Sequence, residues 1–342
     1  MHFASDNTGP AHPAVMAALA EANSGFAMGY GNDAIMDTVR AQLRDLFEAP
    51  EAAVYLVATG TAANSLLLAT MAQPWQAVFC AEAAHVDVDE CGAPEFFTDG
   101  AKLSKVAAPH GKMTMQSLAG AIARHPAGVV HGVQPGPLTI TQITESGTLY
   151  TAPEVAALAG LAHDHGLGVH MDGARFANAI AALGCAPADV TWRAGVDTLS
   201  FGGTKNGLLG VEAAVIFDPA LAWEFELRRK RAGHLASKHR YLSAQMHAYL
   251  KDGLWLNMAR AANSRAARLA AGLNAAGITP KHPVQGNMMF VDLPGPIHDR
   301  LRAADAQYYA SANADGSHAA RLVCDWSLDE AQIDRFIALL AT

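Results

Sequence analysis

The stretch with most chemistry in it is Ser200-Phe201-Gly202-Gly203-Thr204-Lys205-Asn206-Gly207, a lysine set among glycines. The apolar, β-branched run 196–201 before it predicts a buried strand, and 213–217 after it predicts another. Burial disfavours the charge of an ammonium and lowers its pKa, and the neutral amine is the form that attacks carbonyls. Glycines let a planar group come close to the backbone. Lys205 is therefore a candidate Schiff-base lysine. An ordinary lysine in a strand-to-strand turn is the reading that this octapeptide alone leaves open.

Further candidates fall where strands are expected to end. Residues 53–58 read as a strand, followed by Gly60-Thr61-Ala62-Ala63-Asn64 and a helix rich in Leu and Ala. Such a turn presents free backbone N–H groups and the positive end of a helix dipole to a phosphate. Gly60 and Thr61 are candidate phosphate ligands, although a plain turn with a threonine cap is also open. The glycine spacings of a P-loop or a dinucleotide fingerprint are absent. His85 follows the expected strand 77–80, placed for chemistry or for a structural hydrogen bond. The strand ending at Asp172 buries an acid, which needs a cation or a donor. Arg175 is either that partner or, together with Asp172, a ligand group. Tyr30 lies between glycines, as a site residue or an exposed turn residue. Arg321, near the head of an apolar strand at 320–326, binds an anion or simply marks an edge. Asp87, Asp89 and Glu90 read as solvated acids, and no metal is expected.

The elements needed to position these residues alternate strand and helix, which predicts an α/β architecture with a mostly parallel sheet flanked by helices. Residues 1–12 read as an extended N-terminal arm. Pro13 opens a helix, Asp33 caps another over 34–47, and Thr151 caps a third over 153–165. Gly128-Val129-Val130-His131 is a candidate start of a crossover unit, and 137–142 a strand. A short helical link over 189–194 leads to the lysine strand. From about residue 225 the pattern changes to a basic helix, a long helical region to about 273, two strands at 287–293 and 320–326, and a final helix at 329–340. The division expected is a large domain over 1–245 and a small α+β domain over 246–342. Hydrophobic residues make up 51% and charged residues 16%, which suits a compact enzyme with buried sheets. A net charge of −8 without a basic stripe argues against a nucleic-acid partner. No basic-then-apolar leader is visible, no apolar run approaches membrane-spanning length, and the four cysteines lack CxxC spacing. The expectation is a cytoplasmic protein with reduced thiols and no membrane partner.

Gly60-Thr61, His85, Asp172, Arg175, Lys205 and Arg321 together are what a pyridoxal phosphate enzyme requires: a phosphate cup, a flat group over the ring, an acid for the pyridine nitrogen, a lysine, and arginines for a carboxylate. The chain resembles the fold-type-I pyridoxal phosphate enzymes, and among them the bacterial low-specificity L-threonine aldolases. The resemblance rests on Phe3-Ala4-Ser5-Asp6-Asn7, Tyr30-Gly31-Asn32-Asp33, Gly60–Asn64, Ala84-His85-Val86, His170–Arg175, Phe201–Gly207 and Arg321-Leu322-Val323. Ala34 stands where many relatives carry proline, which bears on the shape of that loop. The resemblance implies retro-aldol cleavage of β-hydroxy-α-amino acids to glycine and an aldehyde. It makes Lys205 the cofactor lysine, Asp172 the partner of the ring nitrogen, and His85 the stacking group and candidate base. Ser5, Arg175 and Arg321 become the carboxylate grip, with Arg175 also near the cofactor. Tyr30 and the basic stretch 229–238 would approach a neighbouring subunit's site, so a homodimer or homotetramer is expected. A β-eliminating lyase or an aminotransferase could use the same lysine and aspartate, and a non-catalytic pyridoxal phosphate-binding protein is the remaining alternative.

Overall fold

A computed structural model describes residues 1–341. Its centre is a seven-stranded sheet built from β1 (Ala53–Val57), β2 (Gln76–Ala81), β3 (Lys102–Val106), β4 (Gln134–Thr141), β5 (Val169–Gly173), β6 (Thr198–Phe201) and β7 (Glu212–Ile216), in the order β1-β7-β6-β5-β4-β2-β3. Strands β3, β2, β4, β5 and β6 run parallel, and β7 runs antiparallel to both of its neighbours. Every residue of β5, β6 and β7 is buried, because helices cover both faces and a parallel sheet has no solvated side. This explains why those runs read as continuously apolar rather than alternating.

The antiparallel step has a local cause. Parallel neighbours need a crossover, whereas β6 passes to β7 through a short link that contains only the 3₁₀ turn Thr204–Asn206. Lys205 sits in that link. The C-terminal ends of β1, β2, β4, β5 and β6 all open on the same edge, where the loops of α/β sheets carry ligands.

Capping follows the sequence closely. Asp33 Oδ1 accepts from Met36 N at 3.0 Å to start the helix Ala34–Leu46. Thr151 and Glu154 form a reciprocal capping box at the start of Ala152–Asp164. Gly128–Gly132 is a turn rather than a strand start: Gln134 Oε1 accepts from Gly128 N at 2.9 Å, and β4 begins only at Gln134. The long helical region also breaks, into Arg240–Leu250 and Leu254–Ala275, at Asp252 and Gly253, both with positive φ.

A second, antiparallel sheet of β8 (Met288–Leu293), β9 (Tyr309–Ala312) and β10 (His318–Val323), in the order β8-β10-β9, has its own core. That core includes Leu269 and Leu273 of the helix Leu254–Ala275 and Phe336 of the last helix, Glu330–Ala338, together with Met1 and Phe3. The arm reaches it by main-chain bonds from Phe3 N to Gln307 O at 2.7 Å and from Val323 N to Phe3 O at 2.9 Å. Among the described residues, no helix is long and apolar enough to cross a membrane.

Candidate active site

A cavity of about 360 Å³ opens at the C-terminal edge of the large sheet. Gly60, Thr61, His85, Asp172 and Lys205 line it together, with Asn7, Asn64, Glu90, Thr204 and Glu212. The five residues come from four different strand ends, so the sheet itself gathers them. The helix Gly60–Met71 starts directly after β1 with its first turn at the cavity wall. Thr59 caps that helix, its hydroxyl accepting from Ala62 N at 3.1 Å, and the N–H groups of Gly60 and Thr61 are left to the cavity side.

Lys205 is partly buried in the β6–β7 link. Burial, and after it the Arg175 guanidinium, press its pKa below the ordinary lysine value, while Asp6, Asp172 and Glu212 push the other way. Glu212, on β7, accepts from Gly203 N at 2.7 Å, and burial raises its carboxyl to about 6. Asp172 is buried on β5. Its Oδ2 accepts from Asn64 Nδ2 at 2.9 Å and its Oδ1 from Ala174 N at 3.0 Å.

Arg175 is not the partner of Asp172. It makes a two-pronged pair with Asp6, Nε to Oδ2 at 2.6 Å and Nη2 to Oδ1 at 2.9 Å, and Asn287 Nδ2 donates to the same Asp6 Oδ2 at 3.1 Å. Burial raises the Asp6 pKa, but the Arg175 charge and hydrogen bonds outweigh it and hold the carboxyl below its ordinary range. The acid at the end of β5 is satisfied by neutral donors instead, which meets the requirement for a buried carboxylate without a cation.

His85 begins a short helical turn, His85–Val88, after β2. Its peptide N donates to Glu145 Oε1 at 2.7 Å, and its Nδ1 lies 2.8 Å from Glu90 Oε1. The hydrogen bond to Glu90 raises the imidazole pKa above 6.5 against the effect of burial. Glu90 is therefore no solvated acid: it is buried behind the histidine. Among the described residues, no group of three or more His, Cys, Asp or Glu side chains is placed to hold a metal ion.

The remaining candidates stand outside this cavity. Ser5 Oγ accepts from Asn7 N at 3.1 Å, one step along the arm from the lining residue Asn7. Arg321, on β10, donates from Nη2 to Ala4 O at 3.0 Å and lies 4.9 Å over the Tyr309 ring, with its Nε buried and unpaired. Burial, then Arg175, lowers its pKa, which sets the two arginines in each other's field. Tyr30 is half exposed at a left-handed turn, under Lys230 Nζ at 4.8 Å, and is not in its own chain's cavity. Sequence reasoning missed the roles of Asp6, Asn64, Glu90 and Glu212. Asp6 and Asn64 lay inside quoted motifs, and Glu90 lay five residues beyond His85, but nothing in their spacing named their partners.

Comparison with known proteins gives the family and the fold. The profile of the beta-eliminating lyase family matches residues 2–294. A low-specificity L-threonine aldolase of Pseudomonas aeruginosa is 44% identical over 329 residues, spanning 96% of this chain and 93% of its own length. Another from a Pseudomonas species is 41% identical over 338 residues, spanning 98% and 96%. The solved structure of a threonine aldolase from Leishmania major superposes with a TM-score of 0.94 at 30% identity, covering 99% of this chain and 98% of that one. The architecture expected from the resemblance, a mostly parallel sheet between helices followed by a small α+β unit, is thus present. With 41–44% identity to two curated relatives over nearly its full length, the chain belongs to the low-specificity L-threonine aldolase family within the beta-eliminating lyases.

Proposed function

We propose that this protein uses pyridoxal 5′-phosphate to cleave L-threonine, L-allo-threonine and related β-hydroxy-α-amino acids into glycine and an aldehyde. The observation that carries this reading is the single cavity shared by Lys205, Asp172, His85 and the opening of the helix Gly60–Met71. Those residues fit the group. A depressed lysine amine suits condensation with an aldehyde, an acceptor-only carboxylate suits a protonated ring nitrogen, and a helix N-terminus suits a phosphate. When bound, the cofactor supplies the aldehyde and the electron sink into which the breaking bond empties.

The chain's own residues do the rest. Lys205 would hold the cofactor through its amine, whose lowered pKa favours the neutral form in the cavity. Asp172, kept in place by Asn64 and Ala174 N, would be the carboxylate that holds the cofactor's ring nitrogen protonated. His85, lining the same cavity, would cover the ring of the bound cofactor and is the group that takes a proton from the β-hydroxyl. Ser5, Arg175 and Arg321 orient the α-carboxylate, so that the bond to be broken is aligned before it breaks. Tyr30, exposed on its own chain, serves the site of a neighbouring subunit in a homodimer or homotetramer. We further propose a large domain over 1–245 and a small one over 246–342; a second core supports a separate C-terminal unit, while the first core runs on through Ala259 and the second also takes Met1 and Phe3. We also propose a cytoplasmic location, supported by four free cysteines.

Incubation with L-threonine and cofactor should yield glycine and acetaldehyde in equal amounts. Lys205→Ala should lose both the visible absorbance of the bound cofactor and cleavage. The family profile favours β-elimination as the second reading, which would release ammonia and a keto acid instead. Ammonia without glycine would replace the aldolase reading by that one, and transfer of the amino group to an added α-keto acid would replace it by an aminotransferase.

A further inference from the structure

Glu90 has its side chain wholly out of solvent, and its Oε1 lies 2.8 Å from His85 Nδ1. The same oxygen accepts from Asn64 Nδ2 at 2.9 Å, and that nitrogen also donates to Asp172 Oδ2 at 2.9 Å. The amide of Asn64 is held from turning over, because its Oδ1 accepts from Ser200 Oγ at 2.7 Å. Its two N–H bonds are thus divided, one to each carboxylate. The main-chain N–H of His85 is fixed separately by Glu145 Oε1. The imidazole is gripped at its backbone and at Nδ1, and Nε2 is its free nitrogen, with Asp89 Oδ2 3.6 Å away. An ionised carboxylate only accepts, so a neutral ring facing Glu90 carries its proton on Nδ1 and its lone pair on Nε2.

We propose that Glu90 is the positioning residue for His85: it fixes the ring as the Nδ1–H form, presents Nε2 to the substrate's β-hydroxyl, and is tied through Asn64 to Asp172. The inference rests on the proposed cleavage reaction. In the proton transfer, the substrate O–H bond breaks and an Nε2–H bond forms. The resulting imidazolium faces the Glu90 carboxyl oxygen 2.8 Å from its Nδ1. The charged groups around the ring are Glu90 and Asp89 on its own segment, Glu145 after β4, Asp172 on β5 and Lys205 in the β6–β7 link. Acids outnumber the lone cation there, and the pKa of His85 is raised accordingly, with Glu90 as the largest cause.

The test is ¹⁵N spectroscopy of histidine-labelled, cofactor-loaded enzyme, with the His85 signals assigned by their loss in His85→Gln. Wild type should show the Nδ1–H form and titrate above 6.5. In Glu90→Gln the His85 titration should fall by about one pH unit or more. The acid limb of kcat/KM should move down with it, the plateau should drop about tenfold to a hundredfold, and the bound-cofactor absorbance should persist. Glu90→Asp should restore part of the titration shift. An Nε2–H form in wild type overturns the proposal, as does a His85 titration unchanged in Glu90→Gln. If Glu90→Gln does not fold, the wild-type form of the ring decides. A wild-type enzyme that binds the cofactor yet leaves β-hydroxy amino acids intact would refute the cleavage reaction while leaving the ring's form a separate result.

Discussion

Asp6→Asn should be among the most destabilising single-atom-scale changes in this protein. Asp6 is 3% exposed, and it holds Arg175 by two hydrogen bonds at 2.6 and 2.9 Å. Asparagine keeps the shape and one carbonyl oxygen but leaves the guanidinium buried without a counter-charge. Removing one member of a buried ion pair costs about 3–5 kcal/mol. With an unfolding entropy of about 2.1 cal/mol/K per residue, a chain of 342 residues loses about 0.7 kcal/mol for each degree. The melting temperature should therefore fall by about 4–7 °C, read by calorimetry at one fixed cofactor concentration so that ligand linkage is constant. Adding Arg175→Met removes the stranded charge and should recover most of the loss, since an apolar pair of similar volume often replaces a buried ion pair without penalty. The pH dependence has a definite sign. Asp6 is held below its ordinary value near 3.8, so its contribution is complete above that value and disappears as pH falls through the lower, folded-state pKa. The gap between wild type and Asp6→Asn should be flat from neutral pH to about 5 and close in stronger acid. A variant melting within a degree of wild type, or a double variant showing simple additive losses, would refute the reasoning.

Arg321→Ala removes a guanidinium whose buried Nε has no hydrogen-bond partner among the described residues; KM for the amino acid should rise about tenfold to a hundredfold, with bound-cofactor absorbance unchanged. His170 is wholly buried and burial lowers it to about 4, so the unfolded chain takes up its proton first as pH falls below 6.5. Stability should fall by about 3 kcal/mol between pH 6.5 and 4 on account of this residue, seen as a loss of melting temperature that His170→Gln reduces. In Gly202→Ala the new methyl would meet the carbonyl of Ala174, a backbone atom with nowhere to go. The variant should lose about 1–3 kcal/mol and bind cofactor more weakly, because Gly202 leads directly into the Lys205 turn.

What was legible in the sequence was what local physics writes there. The lysine strand and its partner were visible because burial on both faces leaves continuous apolar runs; that β7 pairs antiparallel was not, although the short link makes it so. The caps at Asp33 and Thr151 were visible because an N-cap must be a short polar side chain immediately before the helix it serves. Gly128–His131 was misread because two valines mimic a strand start, while the pairing that would make one is absent until Gln134. Glu90 was misread for a different reason. An acid in an acidic segment looks solvated, and only the fold reveals that Asn64 and His85 enclose it.

Of the two readings of Arg175, the pairing with Asp172 failed for the most instructive reason. The sequence offered Asp172 as its partner because it lay three residues away, but the actual partner is 169 residues distant in the arm. Short-range pairing is a weak prior for a buried charge, since what decides is which carboxylate the tertiary closure brings within reach at least desolvation. The arm does this twice: Ala4 O takes Arg321 from the small sheet, and Asp6 takes Arg175 from the end of the large one. Phe3, anchored in the small sheet's core, sets where those two acceptors lie. Where the two arginines are held is thus governed by an extended peptide that belongs to neither sheet. A periodic pattern cannot encode such a strap, because an extended segment held by its own main chain leaves its side-chain sequence almost unconstrained.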